Sequence, residues 1–174
     1  EDRGWRGGVT PGSSKPPPFP SLPPGYTAVK RLGSSSLSEV IQVVDDKGRR
    51  LALKILRGSA ARDPRIRERW RREAQLLEEI QHPNLVESHG AIEVEGRPAL
   101  LLEFIEGETL RDRLRRGPLR WEEAARIGVQ VSRALAKLHQ AGALHRDVKP
   151  HNILLHMKRG AILADLGLVR RAED

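Results

Sequence analysis

The stretch Leu144-His145-Arg146-Asp147-Val148-Lys149-Pro150-His151-Asn152-Ile153-Leu154-Leu155 constrains the chain more than any other. From Asp147 to Asn152 it places a carboxylate, an ammonium and a carboxamide close together, between two apolar flanks. Pro150 has no N–H and biases Lys149 toward extended backbone, so no regular helix runs through the middle of the stretch. Asp147, Lys149 and Asn152 are therefore expected on irregular backbone. Asp147 can take a proton from a hydroxyl, Lys149 can neutralise a phosphate, and Asn152 offers a hard oxygen to a cation such as Mg²⁺. That trio suits phosphoryl transfer to an alcohol. The alternative is a plain polar turn between a helix and a strand, and the surrounding sequence has to decide.

Composition narrows the surroundings. A chain of 174 residues can build one good core or two small lobes, and 38% hydrophobic with 31% charged residues suits a soluble globular protein. No run approaches the roughly 18 consecutive apolar residues of a membrane span, and no signal segment opens the chain. The absence of Cys excludes disulfides, thiolate zinc sites and cysteine catalysis, and a cytoplasmic setting is the expectation. A net charge of +8 raises the question of nucleic acid. The charge is diffuse, however, and aromatic residues for base stacking make up only 3%. The densest basic run, Arg62 to Arg72, is interleaved with Asp63, Glu68 and an apolar stripe, as on a solvated helix face. No nucleic-acid partner is expected. Because the chain starts at Glu1, it is expected to be part of something longer, with any membrane anchor outside it.

Residues 1–25 hold seven of the twelve Pro and five of the sixteen Gly. Such a segment buries too little apolar surface to offset its ordering entropy, and a disordered linker is expected. Pro16 to Pro20 and Pro20 to Pro23 are also candidate polyproline II ligands for an SH3-like partner, a tether being the plainer account. From Tyr26 the pattern changes to short strands: Tyr26 to Leu32, Leu37 to Val44 and, after the tight turn Asp45-Asp46-Lys47-Gly48, Arg50 to Leu56. A helix should start at an Asp63 cap with Pro64 in its first turn and run to about Gln81. A further hairpin, Leu85 to Val94 and Pro98 to Phe104, should turn at Glu95-Gly96.

Two charges stand out within these elements. Lys54 lies in the apolar run Leu51-Ala52-Leu53-Lys54-Ile55-Leu56, where an unpaired ammonium is costly. On the helix, Ile66, Trp70, Leu77 and Ile80 share a face and Glu73 falls in its middle. A Lys54–Glu73 ion pair would solve both problems; otherwise Glu73 borders the core and reaches water.

In the second half, Thr109 to Arg116 reads as a short helix and Trp121 to Gln140 as a longer one. The longer helix carries the stripe Ala124, Ile127, Val131, Leu135 and Leu138, and Gly142 is its stop signal. After a strand Ile153 to Leu155 and a turn at Arg159-Gly160, the apolar run Ala161-Ile162-Leu163-Ala164 ends in Asp165-Leu166-Gly167.

His-Arg-Asp-x-Lys-Pro-x-Asn at 145–152, Lys54, Glu73, His82-Pro83-Asn84 and Asp165-Leu166-Gly167, in this order, resemble the protein kinase superfamily. The likeness is closest to bacterial-type serine/threonine kinases and covers about residues 26 to 174. It implies an α+β, two-lobed fold. A complete small lobe with its hinge, a five-stranded antiparallel sheet plus one helix, would span 26–105, and a truncated helical large lobe 106–174. It also implies ATP and Mg²⁺ as cofactors and a protein substrate with Ser or Thr acceptors. Asp147 would serve the hydroxyl, Lys149 the transferring group, Lys54 paired with Glu73 the phosphates, and Asn152 and Asp165 the metal. Nucleotide contacts would come from Leu32, Gly33, Ser34, Ser35, Val40, Ala52, Leu154 and Asp165. In the hinge, Leu102 would be the gatekeeper, with the Glu103 carbonyl and the Ile105 amide facing adenine. Ser35 and Ser38 depart from the family's glycine-rich loop, so an ATP-binding scaffold with weak or no catalysis is the alternative. The activation segment and peptide-binding helices are expected after Asp174, leaving apolar surface on the long helix uncovered.

Overall fold

The computed structural model describes residues 18–165 and 170–171; the Glu73 side chain lies outside the described residues. Strands β1 (Tyr26–Ser34), β2 (Ser38–Asp45), β3 (Arg50–Leu56), β4 (Ser88–Val94) and β5 (Arg97–Glu103) form one antiparallel sheet in the order β1-β2-β3-β5-β4. Strand alternation divides its side chains. Ile41, Val43, Leu51, Leu53, Ile55, Val94, Ala99 and Leu101 make one core. Leu56, Leu100 and Leu102, with Ala52 against them, belong to the other, which continues into the second half of the chain. The β4–β5 turn is as expected, with Glu95 and Gly96 both at positive φ (51° and 72°), the geometry of a two-residue hairpin.

Helix α1 (Pro64–Glu79) crosses the inner face of the sheet, and Asp63 caps it by accepting the Arg65 N–H at 2.8 Å. It ends two residues before the expected Gln81, because Ile80 turns to extended backbone and is buried. The strand expected from Leu85 begins only at Ser88. Leu85 and Val86 are drawn away to bridge the second half, where Leu85 pairs with Leu163 and the Val86 N–H donates to the Leu163 carbonyl at 3.0 Å.

The second half contains β6 (Gly107–Thr109), α2 (Leu110–Leu114), α3 (Trp121–Gln140), β7 (Ala143–Leu144), β8 (Ile153–His156), β9 (Gly160–Leu163) and β10 (Arg170–Arg171). The helix expected at 109–116 is shorter than its pattern, because residues 107–109 instead pair with β8 as the edge of a sheet ordered β6-β8-β9. Thr109 still caps it, its hydroxyl accepting the Asp112 N–H at 3.0 Å. Helix α3 has the expected bounds, and Gly142 follows it at φ 70°. Its buried stripe is Ile127, Val131, Ala134 and Leu138; Ala124, expected in the stripe, is exposed and Ala134 takes its place. Trp121 is 77% exposed and Val129 51%. Gln130 fastens α3 to β9, donating to the Arg159 carbonyl at 3.1 Å and accepting the Ala161 N–H at 2.8 Å.

The expected linker needs a correction at its C-terminal end. Residues 18–25 lie on the sheet: Leu22 packs on the outer core, the Ser21 N–H donates to Glu95 at 2.8 Å, and Arg31 stacks on Phe19 at 5.2 Å. One aromatic and one aliphatic side chain among the prolines are enough to attach the segment. Residues 1–17, including Pro16 and Pro17, lie outside the described residues. No helix among the described residues is long and apolar enough to cross a membrane.

Candidate active site

The stretch 144–152 is held from below by a buried imidazole. His145 is 2% exposed; its Nδ1 accepts the Asp147 N–H at 3.2 Å and its Nε2 faces the Ala164 carbonyl at 3.2 Å. The neutral tautomer with hydrogen on Nε2 satisfies both contacts. Burial pushes the His145 pKa down, which favours that neutral ring. Arg146 adopts φ 61°, reversing the chain so that Asp147 leaves the core. Pro150 does not merely interrupt the loop: with fixed φ it opens a 3₁₀ turn, Pro150–Asn152, and the Asn152 N–H closes onto the Lys149 carbonyl at 2.9 Å.

That turn brings the three polar groups together. Lys149 Nζ donates to Asp147 Oδ2 at 2.7 Å, and Asn152 Nδ2 donates to the same oxygen and to the Asp147 carbonyl, each at 2.9 Å. Among the described residues, the side-chain bonds to the carboxylate all converge on Oδ2, which leaves Oδ1 to accept from an incoming hydroxyl. The Lys149 hydrogen bond is the largest influence on the Asp147 carboxyl; burial opposes it, and with the further help of the Asn152 hydrogen bond and the Lys149 charge the carboxyl is held below the usual carboxylate range. Asn152 is buried, and with its Nδ2 hydrogens committed its Oδ1 is the group available to a cation.

Asp165 is tied to this loop through the backbone, since the Ala164 N–H donates to the Asn152 carbonyl at 2.8 Å. It takes φ 59°, unusual for a residue with a Cβ, and its side chain is 46% exposed. Its Oδ1 lies 2.7 Å from Lys54 Nζ. Lys54 reaches across from β3, between Val40 on β2 and Leu100 on β5, with its side chain 7% exposed and its ammonium 4.8 Å from the centre of the Trp70 ring. The expected Lys54–Glu73 pair lies outside the described residues, as do Leu166 and Gly167.

The two halves of the site are clamped by His82-Pro83-Asn84. The Asn84 side chain donates to the Ala161 carbonyl and its own carbonyl accepts the Leu163 N–H, both at 2.8 Å. Arg159 binds the Pro83 carbonyl and the Glu103 carboxylate at 2.9 and 2.6 Å. Glu103 therefore uses its side chain to brace the link between the halves.

A sheet with one crossing helix, clamped to a helical half, carries a buried lysine, two carboxylates and a carboxamide at the junction. The protein kinase domain family matches residues 26–174. The chain belongs to the protein kinase family. It is 39% identical over 155 residues to a probable serine/threonine-protein kinase of Corynebacterium efficiens, covering 86% of this chain and 24% of that protein. It is 35% identical over 161 residues to the serine/threonine-protein kinase PknB of Mycobacterium leprae, covering 89% and 26%. The crystal structure of the Mycobacterium tuberculosis PknI kinase domain superposes with a TM-score of 0.73 at 32% identity, covering 83% of this chain and 60% of that one. The chain thus spans about a quarter of the length of these curated relatives.

In kinase terms, the loop between β1 and β2 is pinned by its serines. The Ser35 N–H donates to the Ser38 carbonyl at 2.8 Å, and Ser35 Oγ accepts the N–H groups of Ser38 and Leu37 at 3.1 and 3.3 Å. Gly33 pairs with Val40 at ordinary φ and has open space where a Cβ would stand, so this backbone does not require glycine there. Ala52 lies opposite Leu102, and Leu102 and Ile105 are buried, whereas Leu32 is exposed and Leu154 half-buried. Sequence reasoning missed β6, the tether through Asn84, and the contact of Trp70 with Lys54. Trp70 was legible as a core residue, and its position one helical turn before Glu73, the expected partner of Lys54, is the signal that could have placed it near the lysine.

Proposed function

We propose that this chain provides the nucleotide site and catalytic loop of a serine/threonine protein kinase, transferring the γ-phosphoryl group of ATP to a protein Ser or Thr hydroxyl. The observation that carries the reading is the Asp147 carboxylate, ionised, fixed by Lys149 and Asn152 on one oxygen and open on the other. In the reaction, the hydroxyl oxygen forms a bond to the γ-phosphorus as the β–γ bridging bond breaks. The bridging oxygen keeps the electron pair and leaves with ADP, and the hydroxyl proton passes to Asp147 Oδ1. Lys149, already beside Asp147, contacts the group in transit, and Lys54 holds the phosphates from the sheet side.

The donor set fits Mg²⁺. Asp165 and Asn152 offer one carboxylate and one carboxamide oxygen, and this ion is commonly held by one or two carboxylates with phosphates and water filling its shell. When bound, it neutralises charge on the phosphates. Adenine would rest between Leu32, Val40, Ala52 and Leu154, with Leu102 behind it and the backbone of Glu103 and Ile105 at its edge. Gly33, Ser34 and Ser35 would lie over the phosphates, and Glu73 would pair with Lys54. A cytoplasmic setting, where ATP and protein substrates meet, belongs to the same reading. Phosphotransfer from labelled ATP to Ser/Thr substrates tests it. Asp147→Asn should lower turnover by about 10²- to 10⁴-fold with ATP binding retained. Equal turnover in both proteins would overturn the assignment.

A further inference from the structure

We infer that Trp70 is a positioning residue for the phosphate-binding lysine: its indole face holds the Lys54 ammonium in place from the helix side. The inference rests on the reading of Lys54 given above. The ammonium lies 4.8 Å from the ring centre, inside the roughly 6 Å over which a cation is attracted to an aromatic face. Lys54 and Trp70 are both buried, and such attraction is strongest where water is excluded.

Two features separate this role from simple core filling. The first is the cost of the indole. Trp70 Nε1 is buried without a hydrogen-bond partner among the described residues, a penalty that Phe would not carry at the same place. What Trp adds in exchange is the ring face, the best of the aromatic side chains for a cation.

The second is the nature of the Lys54 contact with Asp165. Asp165 stands on a half-exposed loop at positive φ, and its carboxylate is also the proposed metal ligand. A cation on Asp165 competes with Lys54 for that carboxylate, whereas Trp70 makes no such exchange. It projects from α1, one turn before Glu73, so the turn that carries the expected acidic partner also carries the aromatic one. The indole therefore keeps the ammonium aimed across β3 while Asp165 changes partners.

Calorimetric titration of the chain with Mg-ATP and, separately, with adenosine tests this, because adenosine occupies the base pocket without reaching the lysine. Trp70→Leu should weaken Mg-ATP binding by about threefold to thirtyfold, the range of a buried cation–aromatic contact, and leave adenosine binding unchanged. Trp70→Phe, which keeps a ring face, should recover most of the loss. Unaltered Mg-ATP affinity in Trp70→Leu, an equal loss for both ligands, or a Phe variant as weak as Leu would each overturn the inference. A wild-type chain that binds neither ligand overturns the kinase reading itself and the inference with it, an outcome distinct from the other three. If Trp70→Leu does not fold, the contact is read in a Trp5→Phe, Trp121→Phe background, where Trp70 is the sole indole. There Lys54→Met should change the emission intensity of Trp70, and unchanged emission overturns the inference.

Discussion

His145 shows how one side chain holds two loops in register. Through its two nitrogens it links the Asp147 N–H and the Ala164 carbonyl, so the carboxylates at 147 and 165 depend on the same ring. Burial lowers its pKa, chiefly by penalising the charged form, and the sign of the consequence follows. The unfolded ring titrates near about 6.5 and the folded ring lower. The stability this difference contributes is therefore fully present above that value and is lost as pH falls through the window beneath it. The melting temperature should fall between pH 7.5 and 5.5, and less steeply in His145→Phe. His82, also lowered by burial and then by Lys137 and Arg133, keeps the remaining slope. Thermal scans across that range check this, and identical slopes in the two proteins would refute it. Asp147 behaves differently, because its lowered pKa leaves it ionised throughout the same window.

Among the elements, the short strand β6 is the most vulnerable. A Cβ built on Gly107 would meet the Leu155 carbonyl oxygen at 2.1 Å and its carbon at 2.9 Å, both of them backbone that cannot rotate aside. Gly107→Ala should therefore part β6 from β8 and displace Leu154, a proposed adenine contact. A cost of about 2–3 kcal/mol, or roughly 4–12 °C in melting temperature, is expected, together with weaker adenosine binding. Differential scanning calorimetry and the adenosine titration measure the two effects. The strand was hidden in the sequence because Gly107-Glu108-Thr109 has neither alternation nor β-branched density, and its pairing with Leu154 to His156 is set by contacts across the fold. Helix α3 shows the opposite case. Its 3.6-residue period and Gly142 were local signals, and its bounds followed from them.

For the whole molecule, the segment 18–25 behaves as a strap across the sheet. It engages Arg31, which also pairs with Glu39, and Glu39 in turn meets Arg97, next to the Glu95 that accepts Ser21. Removal of residues 1–24 should expose the outer core around Leu22 and cost about 1–2 kcal/mol, measurable as a lower urea midpoint. An unchanged midpoint would restore the linker reading for the whole segment. The sequence by itself determined the family and the longer strands and helices, and it singled out Asp147, Lys149, Asn152, Lys54 and Asp165 as the proposed site residues, because each is written in residue type and local spacing. Only the tertiary structure decided what these groups touch. The approach of Lys54 to Asp165, the indole beside Lys54, the Asn84 clamp and the docked strap all depend on packing between residues far apart in the chain, whereas the Lys149 and Asn152 donors meet Asp147 within one local turn. Local propensity carries no record of such distances.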